Sequence, residues 1–303
     1  MKDLYRDFKD EEQIRALVAF GESTFRARLS DTVNRIADRD DLRLITVSGP
    51  SCSGKTTSSA KLETALEAHG YTVHVISIDD FFFDRDFLVE RARQRGESTD
   101  FDSPDTIDFS ALAEAIDRIV SSKPIDIPKL SFQLGRRVGY RTLSPSGRKD
   151  VYLIEGIQAV YPDVISCFGQ NEFVSLFVCP EVRFSHGRET FDATDVRFLR
   201  RLVRDEKFRN ASPEFTFTLW ENVRKNEETN IFPNLKDVQY TINSYLEYEL
   251  YMIARYAKPL LRSIDDTSRH AHQAKRYLDL LSSLPEISSS YLPQDSLFRE
   301  FIG

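Results

Sequence analysis

A glycine-rich segment near the start of the chain has the residue types that hold phosphate groups. It reads GPSCSGKTT and matches G-x-x-x-x-G-K-[ST] at every defined position. In such a loop, backbone N–H groups surround phosphate oxygens and the following helix N-terminus attracts negative charge. Lys55 would contact the β- and γ-phosphates, as a catalytic residue, and the Thr56 hydroxyl would bind Mg²⁺. The predicted nucleotide-binding residues are Gly49, Pro50, Ser51, Cys52, Ser53, Gly54, Lys55, Thr56 and Thr57.

Acidic residues follow the loop at three places where they could complete a reaction site. Asp79 comes directly after the apolar run 71–78, at the strand end where ligands bind in parallel sheets. Its carboxylate could accept the proton of an attacking hydroxyl or bind Mg²⁺, and a solvated loop acid is the alternative. Asp102 is a candidate to accept hydrogen bonds from sugar hydroxyls. Glu155 ends the apolar run VYLIE, where a buried charge needs a partner or a metal ion.

A predicted helix at 195–205, DVRFLRRLVRD, carries a dense set of arginines. At about 100° per residue, Arg197, Arg200, Arg201 and Arg204 share one face, and apolar side chains cover the other. Guanidinium groups suit bidentate contact with phosphate, and Arg209 follows the same helix. We predict a lid over 181–232 that excludes water from the transferred phosphate, with Arg204 as a catalytic residue. A solvent-exposed helix paired with neighbouring acids is the alternative.

The elements that must position these residues alternate along the chain. This alternation predicts an α/β fold with a parallel sheet flanked by helices. A β-rich stretch, 125–143, predicts a hairpin inserted beside the acceptor site. We expect one domain over 1–303, with an N-terminal helical extension at 1–40 and a C-terminal strand and helices at 237–303. The predicted strands are 42–48, 71–78, 151–156, 173–179 and, more weakly, 238–242; the predicted helices are 11–37, 55–69, 109–120, 246–263 and 268–283.

The composition narrows the class of protein. The 303 residues carry a net charge of −7 and include three cysteines, which fit neither a disulfide framework nor a zinc pattern. The charge argues against a nucleic-acid partner, and no apolar run reaches the roughly 18 residues of a membrane span. We therefore expect a reduced, cytoplasmic protein without nucleic-acid or membrane partners. The apolar helical faces of 237–303 could pack on the sheet or on another subunit, so a homo-oligomer stays open.

Short motifs separate this chain from other nucleotide-binding classes. NKxD and DxxG, which GTPases need, and LSGGQ, which marks transporter ATPases, are absent from the sequence. In their order, GPSCSGKTT, IDDFF, FDSPDTID, IEGI and RRLVRD resemble the uridine kinase/phosphoribulokinase family of P-loop kinases over 49–209. PKLSFQLGRR and SLFREFIG resemble segments of a bacterial subgroup that is often joined to a threonyl-tRNA-synthetase-like module. We expect no such module here, because residues 1–40 are too few to form it.

The resemblance implies a reaction and roles for residues. ATP and Mg²⁺ would be the cofactors, and a small molecule with a hydroxyl group would be the acceptor. Asp79 would be the catalytic base, with Asp102 on ribose hydroxyls and Glu155 near the metal. The arginines that would contact phosphates or substrate are Arg201, Arg204 and Arg209.

The acceptor side departs from the family pattern. Uridine kinases carry a tyrosine and a histidine in Y-D-F-x-x-H, where this chain has Leu130 and Gly135. Phe132 and Arg137 are the predicted substrate-binding replacements. The predicted function is an ATP-dependent kinase, with a nucleoside 5′-hydroxyl as the leading acceptor and another sugar or alcohol as the alternative. From a different class, a catalytically silent ATP-binding regulatory or RNA-associated module stays open.

Overall fold

Five parallel strands form the central sheet of the computed structural model, which describes residues 8–39, 41–96, 103–147 and 149–303. Including four strands outside this sheet, the strands of the described ranges are β1 (Leu44–Ser48), β2 (Tyr71–Ser77), β3 (Ile125–Ser131), β4 (Arg136–Leu143), β5 (Lys149–Glu155), β6 (Val174–Cys179), β7 (Arg183–His186), β8 (Glu189–Asp192) and β9 (Tyr240–Asn243). The sheet has the order β2-β5-β1-β6-β9, and each neighbouring pair is parallel. The predicted parallel α/β sheet is confirmed.

Helices cover both faces of this sheet. They are α1 (Glu11–Ala37), α2 (Lys55–Ala68), α3 (Arg85–Arg95), α4 (Phe109–Val120), α5 (Pro162–Ser166), α6 (Ala193–Arg209), α7 (Pro213–Asn226), α8 (Glu249–Arg262), α9 (Ala271–Ser282) and α10 (Arg299–Ile302). A π-helical segment, Glu227–Ile231, follows α7 directly. Within the described ranges, no helix is both long and apolar enough to cross a membrane.

Strand β5 shows why the sequence runs are continuously apolar. Val151 and Leu153 belong to one hydrophobic cluster, together with α1, α2, α6 and α8. Tyr152 and Ile154 belong to a second cluster on the other face, together with α4 and α5. Because successive side chains of a strand point to opposite faces, a strand covered on both sides needs apolar residues at every position.

The register of the sheet brings the predicted site residues to one edge. β5 lies between β1 and β2, and Glu155 at its end is opposite Val47 of β1 and Ser77 of β2. The glycine-rich loop follows β1, and Asp79 follows β2. Three segments with polar side chains therefore leave the sheet side by side at the carboxyl ends of its strands.

The β3–β4 hairpin is confirmed, and its strands pair antiparallel outside the main sheet. The hairpin is joined to the segment after β2, because Asp80 Oδ1 accepts a hydrogen bond of 3.4 Å from the Leu130 N–H. The Arg141 guanidinium lies 3.9 Å from the other oxygen of Asp80. These contacts hold the hairpin beside the sheet edge where Asp79 lies.

The C-terminal segments pack on the sheet within the same chain. Leu250 and Leu261 of α8 and Tyr277 of α9 are buried in the cluster that contains β1 and β6. Of the two packing partners that the sequence left open for 237–303, the chain's own core takes these apolar faces.

Candidate active site

The glycine-rich loop needs glycine at two positions. Gly49 has φ +156°, and a Cβ added there would lie 2.2 Å from the Val178 carbonyl oxygen. Gly54 has φ +89° and stands immediately before α2. Only glycine adopts such backbone conformations without strain. The loop therefore curls tightly against the end of β6 and leads directly into the N-terminus of α2, the arrangement that binds phosphate.

Replacing Gly49 with alanine is expected to weaken ADP binding at least tenfold, because the new methyl group forces the loop away from Val178. Gly70 is a matched control, since it also has a positive φ (+84°) but has nothing within 4 Å of an added Cβ. Gly70→Ala should lower the melting temperature slightly and leave ADP binding unchanged. Calorimetric titration with ADP measures both variants, and equal affinities for Gly49→Ala and the wild type would contradict this role of the glycine.

Buried arginines hold the loop from behind. Arg197 Nη1 donates a hydrogen bond of 3.1 Å to the Ser51 carbonyl oxygen, and Arg200 Nη1 donates one of 3.2 Å to that of Cys52. Arg197 is paired with Glu227, and Arg200 with Glu249 at 2.7 Å. The carbonyl oxygens of Ser51 and Cys52 therefore have hydrogen-bond donors, as buried acceptors need.

The position of two arginines of α6 differs from both expectations for this helix. We predicted that Arg197 and Arg200 share a face with Arg201 and Arg204 in a lid over the phosphate, with a solvent-exposed helix as the alternative, whereas Arg197 and Arg200 are 1% and 0% exposed. A charge is tolerated at such depth only when it is paired and hydrogen-bonded, and Glu227 and Glu249 supply the pairs.

The three arginines predicted to contact phosphate or substrate meet at one carboxylate, that of Asp205. Its oxygens lie 3.1 Å from Arg201 Nε, 2.8 Å from Arg204 Nη2 and 3.4 Å from Arg209 Nη1. Arg201 Nη1 also donates to Ser51 Oγ at 2.9 Å, so this cluster lies against the loop. Three guanidinium groups around one carboxylate leave a net positive charge beside the predicted phosphate site.

Lys55, Asp79 and Glu155 form an electrostatically coupled group at the sheet edge. Burial raises the pKa of Asp79 to about 6; the negative charge of Glu155 raises it further, and the positive charge of Lys55 opposes the increase. Burial lowers the pKa of Lys55, against the nearby charges of Glu155 and Asp79. The predicted base, cation and metal-binding acid are therefore close enough to influence one another.

Gln158 is a site residue that the sequence analysis missed. It follows β5 by three positions and is 2% exposed. Its side-chain amide lies within hydrogen-bonding reach of the Asp79 carboxylate and lowers the pKa of that group, as a donor to the ionised form does. Gly156 leaves room for it, because a Cβ there would lie 3.0 Å from Gln158 Oε1. That Oε1 is buried and has no hydrogen-bond partner among the described residues.

A cleft of about 360 Å³ opens beside Asp79 and Gln158. The rings of Phe82, Phe83 and Phe132 line it. Phe132, which was predicted to bind substrate, is therefore a lining residue of this cleft. An apolar cleft with few polar groups is the usual form of a small-molecule site.

The hairpin side of the cleft shows what replaces the tyrosine and histidine of the family pattern. Leu130 and Gly135 both line the cleft, with Arg85 beside them. A Cβ on Gly135 would lie 2.9 Å from Arg85 Nε, so the glycine makes room for this guanidinium. No sequence pattern indicates a role for Arg85, which belongs to α3 and reaches the cleft only through the fold.

Arg137, a predicted substrate-binding residue, is not among the residues that line this cleft. Arg137 bonds to the carbonyls of Phe81 and Phe82 at 3.0 and 3.1 Å and to Asp108. These bonds join the hairpin to the segment after β2 and occupy the guanidinium of Arg137, so the substrate-binding role of Arg137 stays a prediction. Asp102 lies outside the described residues.

The donor groups available for a metal ion fit Mg²⁺ shared with phosphates. The described ranges contain no group of three or more His, Cys, Asp or Glu that could hold a metal ion. Mg²⁺ is commonly held by one or two carboxylates together with substrate phosphates and water. The Thr56 hydroxyl and the acids Asp79 and Glu155 at the loop match that requirement.

Comparison with known proteins agrees with this geometry. The model of the family described as "Phosphoribulokinase / Uridine kinase family" matches residues 44–249, which include the loop, Asp79, Glu155 and all of α6. The chain belongs to the phosphoribulokinase/uridine kinase family. This family assignment covers about two thirds of the 303 residues.

Individual family members are related at moderate identity. A uridine kinase from Deinococcus deserti is 27% identical over 241 residues, covering 79% of this chain and 93% of the relative. Uridine kinase-like protein 4 from Arabidopsis thaliana is 30% identical over 164 residues, 54% of this chain and 30% of the relative. A solved structure described as a possible uridine kinase from Bacillus stearothermophilus has a TM-score of 0.45 at 17% identity, covering 72% of this chain and 98% of that one.

Proposed function

We propose that this protein is an ATP-dependent kinase that transfers the γ-phosphate to a hydroxyl group of a small molecule. The observation that carries the proposal is the convergence of Lys55, Asp79 and Glu155 at one sheet edge, with a cleft opening directly on Asp79. Phosphoryl transfer requires a phosphate loop, charge neutralisation and a group that accepts the proton of the nucleophile.

On the donor side, the loop amides and Lys55 would bind the phosphates, and Thr56, Glu155 and Asp79 would hold Mg²⁺. The metal ion supplies neutralisation of phosphate charge. The cluster of Arg201, Arg204 and Arg209 adds positive charge beside the loop. Because the arginines of α6 hold the loop carbonyls, its amides stay turned towards the phosphates.

On the acceptor side, Asp79 would take the proton of the attacking hydroxyl. A general base works best when its pKa lies near the working pH, and the value of about 6 in the nucleotide-free protein fits that need. Gln158 fixes the orientation of the carboxylate.

Two observations favour a nucleoside 5′-hydroxyl as the acceptor. Relatives that cover most of this chain are uridine kinases, and the aromatic rings that line the cleft suit a planar base. Leu130 and Gly135 argue against uridine itself, because neither can donate or accept a side-chain hydrogen bond to the pyrimidine. The alternative acceptor is a sugar or alcohol, for which Arg85 would contact an anionic or carbonyl group.

A panel of nucleosides, sugars and hydroxy acids with ATP and Mg²⁺ tests the proposal, with ADP release as the readout. Release that depends on one acceptor supports the kinase and identifies its substrate class. Nucleotide binding without acceptor-dependent turnover across the panel would instead support a silent ATP-binding regulatory or RNA-associated module. A cytoplasmic location is part of the proposal. The three cysteines are free thiols, as is usual in a reducing compartment.

Replacing Gln158 with methionine is expected to reduce kcat about 10- to 100-fold, because Asp79 loses the donor that orients it. Methionine has a similar length and shape but forms no strong hydrogen bond. The lost bond stabilises the ionised carboxylate, so the pKa of Asp79 rises and the acid limb of the kcat profile moves to higher pH. If kcat and its dependence on pH both equal those of the wild type, Gln158 only fills space.

A further inference from the structure

A carboxylate of the chain itself lies on the predicted phosphate site. Glu300 Oε2 accepts a hydrogen bond of 3.2 Å from the Thr57 N–H and one of 2.8 Å from the Thr57 hydroxyl. Thr57 belongs to the first turn of α2 and ends the glycine-rich loop motif. Its backbone N–H is one of the donors at the helix N-terminus that a phosphate group would use.

The segment that carries Glu300 is packed firmly in place. Leu297, Phe298 and Phe301 are each fully buried. The Leu297 side chain leaves no room for a Cβ on Gly54, the residue before α2. The Arg200 guanidinium lies over the Phe301 ring at 4.8 Å from its centroid. The carboxylate is therefore brought to Thr57 by a packed segment, 297–302, that contacts both the loop and the arginine helix.

The charges around Glu300 are those that a phosphate would meet. Its negative charge acts on Lys55, where it opposes the effect of burial, and on Arg204. Glu300 thus acts electrostatically on two cations that the proposed function assigns to phosphate. Two anions within a few ångströms in a partly buried site repel each other strongly, so they cannot share the Thr57 donors.

We propose that Glu300 is a built-in competitor for the phosphate groups of the nucleotide: it occupies the Thr57 donors while the site is empty and must leave them when a nucleoside triphosphate binds. The inference rests on the proposed function, since it places the nucleotide at this loop. It makes 297–302 part of the nucleotide site and makes the affinity for nucleotide depend on how readily Glu300 moves away.

The test compares ADP and ATP affinity in the wild type, Glu300→Gln and Asp295→Asn by calorimetric titration. The glutamine keeps an acceptor oxygen for Thr57 but has no negative charge, so ADP and ATP should bind about tenfold more tightly. Asp295 is a matched control in the same part of the chain, because it pairs with Lys61 of α2 at 2.7 Å, away from the Thr57 donors. Asp295→Asn should bind both nucleotides as the wild type does.

Further variants and outcomes separate this inference from the proposed function. Glu300→Asp, which keeps the charge but is one methylene shorter, should give an affinity between those of the wild type and Glu300→Gln. Equal or weaker binding by a folded Glu300→Gln would overturn the inference while leaving the kinase proposal intact. If Glu300→Gln does not fold, tighter binding by Glu300→Asp still supports the competition, and unchanged binding contradicts it. Absence of ADP and ATP binding in every variant would overturn both.

Discussion

Replacing Asp79 with asparagine is expected to reduce kcat by at least about 1,000-fold, because the amide cannot accept the proton of the attacking hydroxyl. ADP binding should change much less, since the loop, Lys55 and the arginines remain. A steady-state assay with the acceptor identified by the panel measures kcat, and calorimetry measures the affinity. A kcat within tenfold of the wild type would contradict the role of Asp79 as base.

The same substitution is expected to stabilise the metal-free protein at neutral pH. The pKa of Asp79 is about 6 in the fold, against 3.8 for an ordinary aspartate, so folding disfavours its ionised form. Between these values the unfolded state binds fewer protons than the folded state, and the free energy of unfolding falls as the pH rises. The gap corresponds to up to about 3 kcal/mol above pH 6.

Urea unfolding of both proteins in the presence of a chelator tests this linkage. Asp79→Asn should match the wild type near pH 4 and become progressively more stable than it up to about pH 6, after which the difference stays constant. For activity, Asp80→Asn is the control variant, because Asp80 is a neighbouring carboxylate that accepts from the Leu130 N–H and the asparagine amide keeps an acceptor oxygen. That variant should retain most of the activity. If the difference in the free energy of unfolding between Asp79→Asn and the wild type does not vary with pH, the raised pKa of Asp79 is contradicted.

Replacing Arg200 with methionine is expected to lower the free energy of unfolding by about 3–5 kcal/mol, because Glu249 is left as a buried charge without its partner. Arg200 and Glu249 are 0% and 1% exposed and are joined by two hydrogen bonds of 2.7 and 3.0 Å. Arg35→Met is the comparison for an exposed pair, since Arg35 and Asp31 are both more than 60% exposed. It should cost less than about 1 kcal/mol.

A double variant separates stability from the positioning of the loop. Arg200→Met with Glu249→Leu removes both charges, so most of the lost stability should return. The Cys52 carbonyl still lacks the donor that Arg200 supplied, and ADP affinity should therefore stay below that of the wild type. Recovery of both stability and affinity in the double variant would show that the bond to the loop has no functional effect.

Local sequence patterns were sufficient to predict the sheet edge of the site. The strand ends at Ser48, Ser77 and Glu155 follow from apolar runs, and parallel strands bring their carboxyl ends together. For this reason, the sequence alone predicts that Lys55, Asp79 and Glu155 lie close together. The glycine-rich loop is equally local, because its spacing and its strand–loop–helix context lie within about 20 residues.

Contacts between distant segments could not be predicted in this way. Glu227 and Glu249 lie 30 and 49 positions from the arginines that they neutralise, and an arginine face looks the same in sequence whether it meets water or buried carboxylates. Gln158 carries no motif, and its role depends on the space left by Gly156. Glu300 is 243 positions from Thr57, and a helical pattern near the end of the sequence gives no indication of that contact.

The two ion pairs behind the glycine-rich loop have a consequence for the thermodynamics of nucleotide binding. The loop is anchored through Arg197 and Arg200 to segments that are part of the folded core, so its backbone is preorganised before any ligand arrives. A flexible glycine-rich loop would lose conformational entropy on binding nucleotide, whereas this loop already loses that entropy when the protein folds. Affinity for the phosphate chain should accordingly fall in parallel with global unfolding as the temperature rises, without an earlier loss from local melting of the loop.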